Sequence, residues 1–142
     1  MKLEPYVFFN GRCDEAIAFY KEALGAEVAF LMRTNESPDP IPPGALPAGF
    51  ENKVMHATLN IGGNMLMVSD GNSTAPSGFK GFRLSLGVDS SEEAVRIFNA
   101  LLPGGNVIMP LGKTFWSPAF GMLDDKFGMG WMVIAASSEM PK

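Results

Sequence analysis

Apolar and polar positions along the chain alternate between two periods, and the switches mark out the elements. PYVFFN (5–10) is a run of β-forming residues and predicts a strand. In the following CDEAIAFYKEALG, Ala16, Ile17, Tyr20, Ala23 and Leu24 recur at helical spacing. Asp14 and Glu15 fall in the first turn, where acids suit the helix dipole, and Gly25 stands at a plausible C-terminal stop. AEVAFLMR (26–33) reads as a strand. MHATLNIGG then alternates, with His56, Thr58 and Asn60 on one face and Ala57, Leu59 and Ile61 on the other. GGNMLMVS (62–69) closes the first half as a further strand.

The second half repeats this order. FRLSLGVD (82–89) predicts a strand, and Ser90 and Glu93 have capping-box spacing. Ala94, Val95, Ile97, Phe98, Leu101 and Leu102 form the apolar face of a helix that Gly104 and Gly105 end. NVIMPLG (106–112) is the next strand, and FGMGWMVI (127–134) is the end of the last. An offset of 78 residues lays Ala16 on Ala94, Tyr20 on Phe98 and Leu24 on Leu102. An offset of 65 lays Gly63 on Gly128, Met67 on Met132 and Val68 on Val133. The chain therefore reads as a duplicated βαβββ unit of the α+β class, 1–70 and 82–137, with a linker at 71–81. The two offsets differ because the first half carries TNESPDPIPPGALPAGFENK (34–53), a loop with five prolines and two glycines. A loop of that length is either a lid or binding loop, or a solvated connection.

Composition narrows the function classes. With 142 residues, 46% hydrophobic and 18% charged, the chain can bury a core. A net charge of -4 and the lack of a basic block argue against a nucleic-acid partner. No apolar run approaches the roughly 18 residues of a membrane span. The start, MKLEPYVFF, does not resemble a secretory signal, so the cytoplasm is the expected compartment. Ten methionines and eleven phenylalanines fit either a methionine-rich core or an adaptable apolar cavity.

Few residues offer chemistry. His56 is the lone histidine, and its polar face makes it the candidate general base; the alternative is a hydrogen-bonded boundary residue. Cys13 is the lone cysteine, which excludes an internal disulfide. It lies either in an activating helix N-terminal context or in an inert buried one.

PLGKTFWSPAFGMLDDKFGMGWMV (110–133), with PYVFFNGRCDEAIAFY (5–20) and KVMHATLNIGGNMLMVSD (53–70), resembles the PhnB-like group of the vicinal oxygen chelate superfamily. That superfamily includes glyoxalase I, bleomycin-resistance proteins and extradiol dioxygenases. The resemblance implies two βαβββ units forming curved mixed sheets around a cavity, and a homodimer. The group has carried a methyltransferase label, but the chain has no glycine-rich strand–turn–helix loop for a methyl-donor nucleotide.

In metal-using relatives, His or Glu ligands occupy four symmetric positions on the first and last strands of each unit. Carried onto this chain, those positions fall on Pro5, Met67, Arg83 and Met132. Proline has no donor, arginine is a permanent cation, and a thioether suits copper(I) rather than a hard divalent ion. No divalent metal cofactor is therefore expected. The cavity is expected to hold a small amphipathic or aromatic molecule, with Arg83, Met67, Met132, Trp116, Phe120, Ser69 and Phe9 as ligand-binding residues. Lyase, isomerase or transferase chemistry using His56 is the alternative. Arg83, a charge in apolar surroundings, needs a partner: a ligand carboxylate or phosphate, or an internal bridge to Asp70 or Glu4.

Overall fold

The computed structural model describes residues 1–136, so the expected end of the second unit, at 137, lies outside them. The chain divides into two compact units, 1–77 and 78–142.

In the first unit the order is β1 (Tyr6–Phe8), α1 (Cys13–Leu24), β2 (Glu27–Arg33), β3 (Val54–Ile61) and β4 (Asn64–Ser69). The sheet runs β1-β4-β3-β2, with β1 parallel to β4 and the other pairs antiparallel. Cys13, Ala16, Ile17, Tyr20 and Ala23 form the buried stripe of α1. They share the core with Val7, Phe9, Ala57, Leu59, Leu66 and Val68. Gly25 caps α1 in the left-handed conformation (φ 66°), which costs glycine little because it has no Cβ. The alternation predicted for β3 is present: Ala57 and Leu59 are buried, while His56, Thr58 and Asn60 are partly open.

The 34–53 loop is anchored at both ends. Two short 3₁₀ turns, Thr34–Glu36 and Phe50–Asn52, flank it. The Thr34 amide donates to the Lys53 carbonyl at 3.0 Å, Asn35 Nδ2 donates to Asn52 Oδ1 at 2.7 Å, and Phe50 is buried. Residues 71–77 fold back onto the first unit, where Asn10 Nδ2 donates to the Ala75 carbonyl and Ser77 Oγ to the Phe8 carbonyl, both at 2.7 Å.

The second unit repeats the order as β5 (Leu84–Val88), α2 (Ser91–Leu101), β6 (Asn106–Gly112), β7 (Phe120–Asp124) and β8 (Gly130–Ala135). Its sheet runs β5-β8-β7-β6, again with the first strand parallel to the last. Ala94, Ile97, Phe98 and Leu101 of α2 are buried, as are Leu123, Trp131 and Val133 of the sheet. The helix offset of 78 holds, since Cys13 and Ser91 both open a helix. The strand offset is 79: Tyr6 pairs with Met67, and Ser85 with Met132. From these paired residues to the helix starts, Tyr6 to Cys13 is one residue longer than Ser85 to Ser91, and Asn10 and Gly11, both at positive φ, lie in that β1–α1 connection. The α-helix itself stops at Leu101, ahead of Gly104.

The TFW…DKFG…WM signature has a structural explanation. Asp125 is buried and accepts from the amides of Phe127 (2.9 Å) and Met129 (3.0 Å) and from Trp131 Nε1 (2.9 Å). Thr114 Oγ1 accepts from the Trp116 and Ser117 amides. Asp125 therefore ties its turn to the start of β8, and the Thr114 turn is joined to the end of β8 by Ser117 Oγ, which donates to the Ala135 carbonyl at 2.6 Å.

No helix among the described residues is long and apolar enough to cross a membrane.

Candidate functional site

Each sheet has one face against its helix and one without. On the first sheet the register assigns the faces. Tyr6 sits beside Met67, Met67 beside Thr58, and Thr58 beside Phe30. Tyr6, Phe8, Phe30 and Met65 are 37–48% exposed on this helix-free face, where an ordinary core would bury them. His56 lies at its centre. Its ring centroid is 5.4 Å from that of Tyr6 and 6.0 Å from that of Phe30, and Tyr6 is 5.1 Å from Phe8.

Both nitrogens of His56 have protein neighbours. Tyr6 Oη is 2.9 Å from Nδ1, and Thr58 Oγ1 is 3.3 Å from Nε2. Partial burial pushes the Tyr6 phenol up, with the Ser69 hydroxyl acting in the opposite sense.

The residues expected to bind ligand separate into two groups. Met67 stands on the open face of the first sheet, and Met132 is likewise partly open in the second. Phe9 does not stand on the open face: it is 3% exposed, and its ring lies 6.1 Å from Tyr20 of α1. Alternation puts Val7 and Phe9 together on the core face, because Tyr6 rather than Pro5 pairs with Met67. Ser69 is also buried; its hydroxyl donates to the Met55 carbonyl at 2.7 Å and accepts from the Gly71 amide at 2.9 Å. Trp116 lies in the loop before β7, packed edge-on against Phe115 and Phe120. Phe120 is itself buried.

Arg83 has an internal partner, but neither of the two expected ones. Its Nη1 donates to Asp124 Oδ1 at 2.9 Å and to the Leu123 carbonyl at 3.0 Å. Asp70 is engaged elsewhere, accepting from the amides of Gly11, Cys13 and Val54 at 2.8–2.9 Å.

Cys13 is fully buried, and burial together with the Asp70 carboxylate pushes its thiol far above the usual range. The thiolate needed for nucleophilic chemistry is therefore disfavoured, and the inert reading of Cys13 holds.

Tyr6, Phe8, Phe30 and Asp124 were not singled out in the sequence. In PYVFFN both alternating faces are apolar or aromatic, so periodicity alone does not tell which one is open. The DD pair at 124–125 gives one carboxylate to the core and one to Arg83.

The register also tests the family's metal positions. The residues beside Met67 and Met132 on the first strands are Tyr6 and Ser85. Two thioethers, a phenol and an aliphatic hydroxyl form a poor donor set for a catalytic divalent ion. Among the described residues, no three His, Cys, Asp or Glu side chains come together as a metal site. The residues present do not fit the metal.

Comparison with known proteins agrees with the fold. Residues 2–133 match the family model of the Glyoxalase/Bleomycin resistance protein/Dioxygenase superfamily. Protein YjdN of Escherichia coli is 36% identical over 138 residues, 94% of each chain. The crystal structure of protein PA1353 from Pseudomonas aeruginosa is 44% identical, with a TM-score of 0.82 over 96% of this chain and 98% of that one. A Bacillus cereus PhnB protein, described as a putative 3-demethylubiquinone-9 3-methyltransferase, is 28% identical, with a TM-score of 0.78 over 96% and 100% of the two chains.

Proposed function

Because the chain belongs to the glyoxalase/bleomycin resistance protein/dioxygenase superfamily, we propose that it binds a small amphipathic or aromatic molecule without a catalytic metal. The observation that carries this reading is the aromatic patch on the first sheet: Tyr6, Phe8 and Phe30 exposed around a histidine. Exposed rings in one cluster supply stacking surface, and the Tyr6 hydroxyl supplies one polar contact. Both His56 nitrogens have protein neighbours, which favours recognition over proton abstraction. The methyltransferase description of the Bacillus cereus relative is not carried over, since this chain has no glycine-rich nucleotide loop. The proposal includes a homodimer in the cytoplasm; light scattering of the purified protein measures the former.

Calorimetry with a panel of aromatic acids, amides and alcohols tests the reading. Binding is expected, with Phe8→Ala weakening it about tenfold through lost stacking and Tyr6→Phe about fivefold through one lost hydrogen bond. If no compound binds, or if both variants bind as the parent does, the patch is not a ligand site. The Tyr6–His56 contact also supports a second reading, a lyase, isomerase or transferase in which His56 takes a proton from the substrate, its ring held by the Tyr6 hydroxyl. A stoichiometric divalent metal in elemental analysis would overturn the metal-free proposal and favour that alternative.

A further inference from the structure

A different place in the molecule shows the chemistry of an anion site. On the open face of the second sheet, a solvent-open cleft of about 510 Å³ is lined by Phe79, Lys80, Phe82, Arg83, Asp124 and Met132, with Gly81 and Gly130 at its floor. That volume lies within the roughly 300–1,000 Å³ of small-molecule pockets. Its charges do not cancel. Arg83 and Asp124 form one pair, and Lys80 has no ion pair with any described residue, which leaves one positive charge in excess.

Arg83 is held in a defined pose. It lies flat over β8 at Gly130, where an added Cβ would come within 2.8 Å of Nη1 and 2.9 Å of Cγ. Asp124 and the Leu123 carbonyl occupy Nη1 alone. Nε and Nη2 form no hydrogen bond with any described residue. They make up the side-on edge of the guanidinium, two parallel N–H donors at the spacing of a carboxylate's oxygens. Around this fork stand apolar groups: Phe79 and Phe82 meet edge-on at 6.4 Å, Phe82 is 50% exposed, and Met132 is partly open. A fixed fork, a second cation and exposed rings together match one kind of molecule.

We propose that this cleft binds an aromatic monoanion, its carboxylate on the free edge of Arg83 with Lys80 nearby and its ring against Phe79, Phe82 and Met132. The site is built from residues of the second unit, and the proposal does not rest on the Tyr6–His56 reading. Asp124 acts as a positioning residue: it holds Nη1, so that the other edge points at the ligand.

The test uses 2-naphthylacetate and its neutral counterpart 2-naphthylacetamide on the full chain, by calorimetry and by amide chemical-shift mapping. The acid is expected to bind at least tenfold more tightly than the amide, to weaken as NaCl is raised, and to shift the amides of Gly81, Gly130 and Met132. Lys80→Met, an exposed substitution that leaves the fold alone, is expected to weaken the acid about fivefold and leave the amide unchanged. Arg83→Gln is expected to abolish the preference for the acid. Equal affinity for acid and amide, an unaltered Lys80→Met variant, or no binding of the acid would overturn the proposal. So would shifts confined to Tyr6, His56 and Met67, an outcome that would leave the first-sheet reading standing.

Discussion

The two units solve one problem, fastening a helix to a sheet, with different residues. In the second unit the solution is local: Ser90 caps α2, its hydroxyl accepting from the Glu93 amide at 3.1 Å. In the first unit Arg12 occupies the capping position and its side chain forms no cap. The acceptor comes from Asp70, at the end of β4 and almost sixty residues away in sequence. It takes the Gly11 and Cys13 amides on Oδ1 and the Val54 amide on Oδ2. A remote buried carboxylate thus joins the β1–α1 connection, β3 and β4 in one network, whereas a serine cap closes only its own turn. The counterpart of Asp70 at the 65-residue offset is Ala135, so the second unit has no such junction. Its buried acid, Asp125, instead orders the turn into β8. Duplicated topology does not require duplicated fastenings, because the fold needs only that each buried amide find an acceptor.

Substitutions make this contrast measurable. Asp70→Ala leaves three amides without their acceptor and should cost about 3–5 kcal/mol in chemical denaturation. Hydrogen exchange should quicken first in the opening turn of α1; protection kept there would show that water replaces the carboxylate and that the junction is dispensable. Gly105→Ala comes next. A Cβ there would lie 2.0 Å from the Asp124 carbonyl oxygen, so β7 has to move, at a cost of about 3 kcal/mol. The helix stop of the first unit is more tolerant: a Cβ on Gly25 meets nothing within 4 Å, and Gly25→Ala should cost only the left-handed strain, about 1 kcal/mol. Similar losses at the two positions would mean that the close approach of β7 to Gly105 costs no more than the left-handed strain at Gly25.

Ser90→Ala removes the local cap and should cost about 1 kcal/mol. A loss as large as that of Asp70→Ala would erase the distinction between local and remote capping. The smallest effect belongs to the surface pair that joins α1 to β2. Arg33 holds Asp14 with two 2.9 Å hydrogen bonds and lowers the carboxyl below its usual range. A carboxyl whose folded value is depressed stabilises the fold fully above its unfolded value and loses that stabilisation as pH falls through the folded one. Both side chains are at least one-third exposed, so solvent screening holds the contribution to about 0.5 kcal/mol. Asp14→Asn should therefore differ from the parent near neutrality and converge with it in strong acid; a constant difference would assign the effect to packing.

The open faces differ as well. The first sheet presents rings around a hydrogen-bonded pair, Tyr6 and His56, and the second presents a charged pair, Arg83 and Asp124, beside methionine. Each face was only partly legible in the sequence. Alternation along MHATLNIGG separated His56 from Ala57 and Leu59, because one set is polar and the other apolar. Alternation along PYVFFN separated nothing, since Tyr6 and Phe8 are as apolar as Val7 and Phe9. Phe9 therefore turns to α1 while Phe8 stays out, a choice made by pairing with β4. The internal partner of Arg83 was out of reach for a similar reason: Asp70, Glu4 and Asp124 are all carboxylates, and only the register of β7 on β8 brings Asp124 to Gly130, beside the arginine.

The sequence by itself determined the elements, their duplicated order and the family, because these rest on local periodicity, helix and turn signals and a contiguous signature. The repeat and the family resemblance together led to the expectation that Met67 and Met132 stand where metal-using relatives carry ligands. Tertiary structure decided which face of each strand is open, the one-residue shift from Pro5 to Tyr6, and the partners of the buried and half-buried charges. Those depend on strand register, which is set by contacts between segments far apart in the chain.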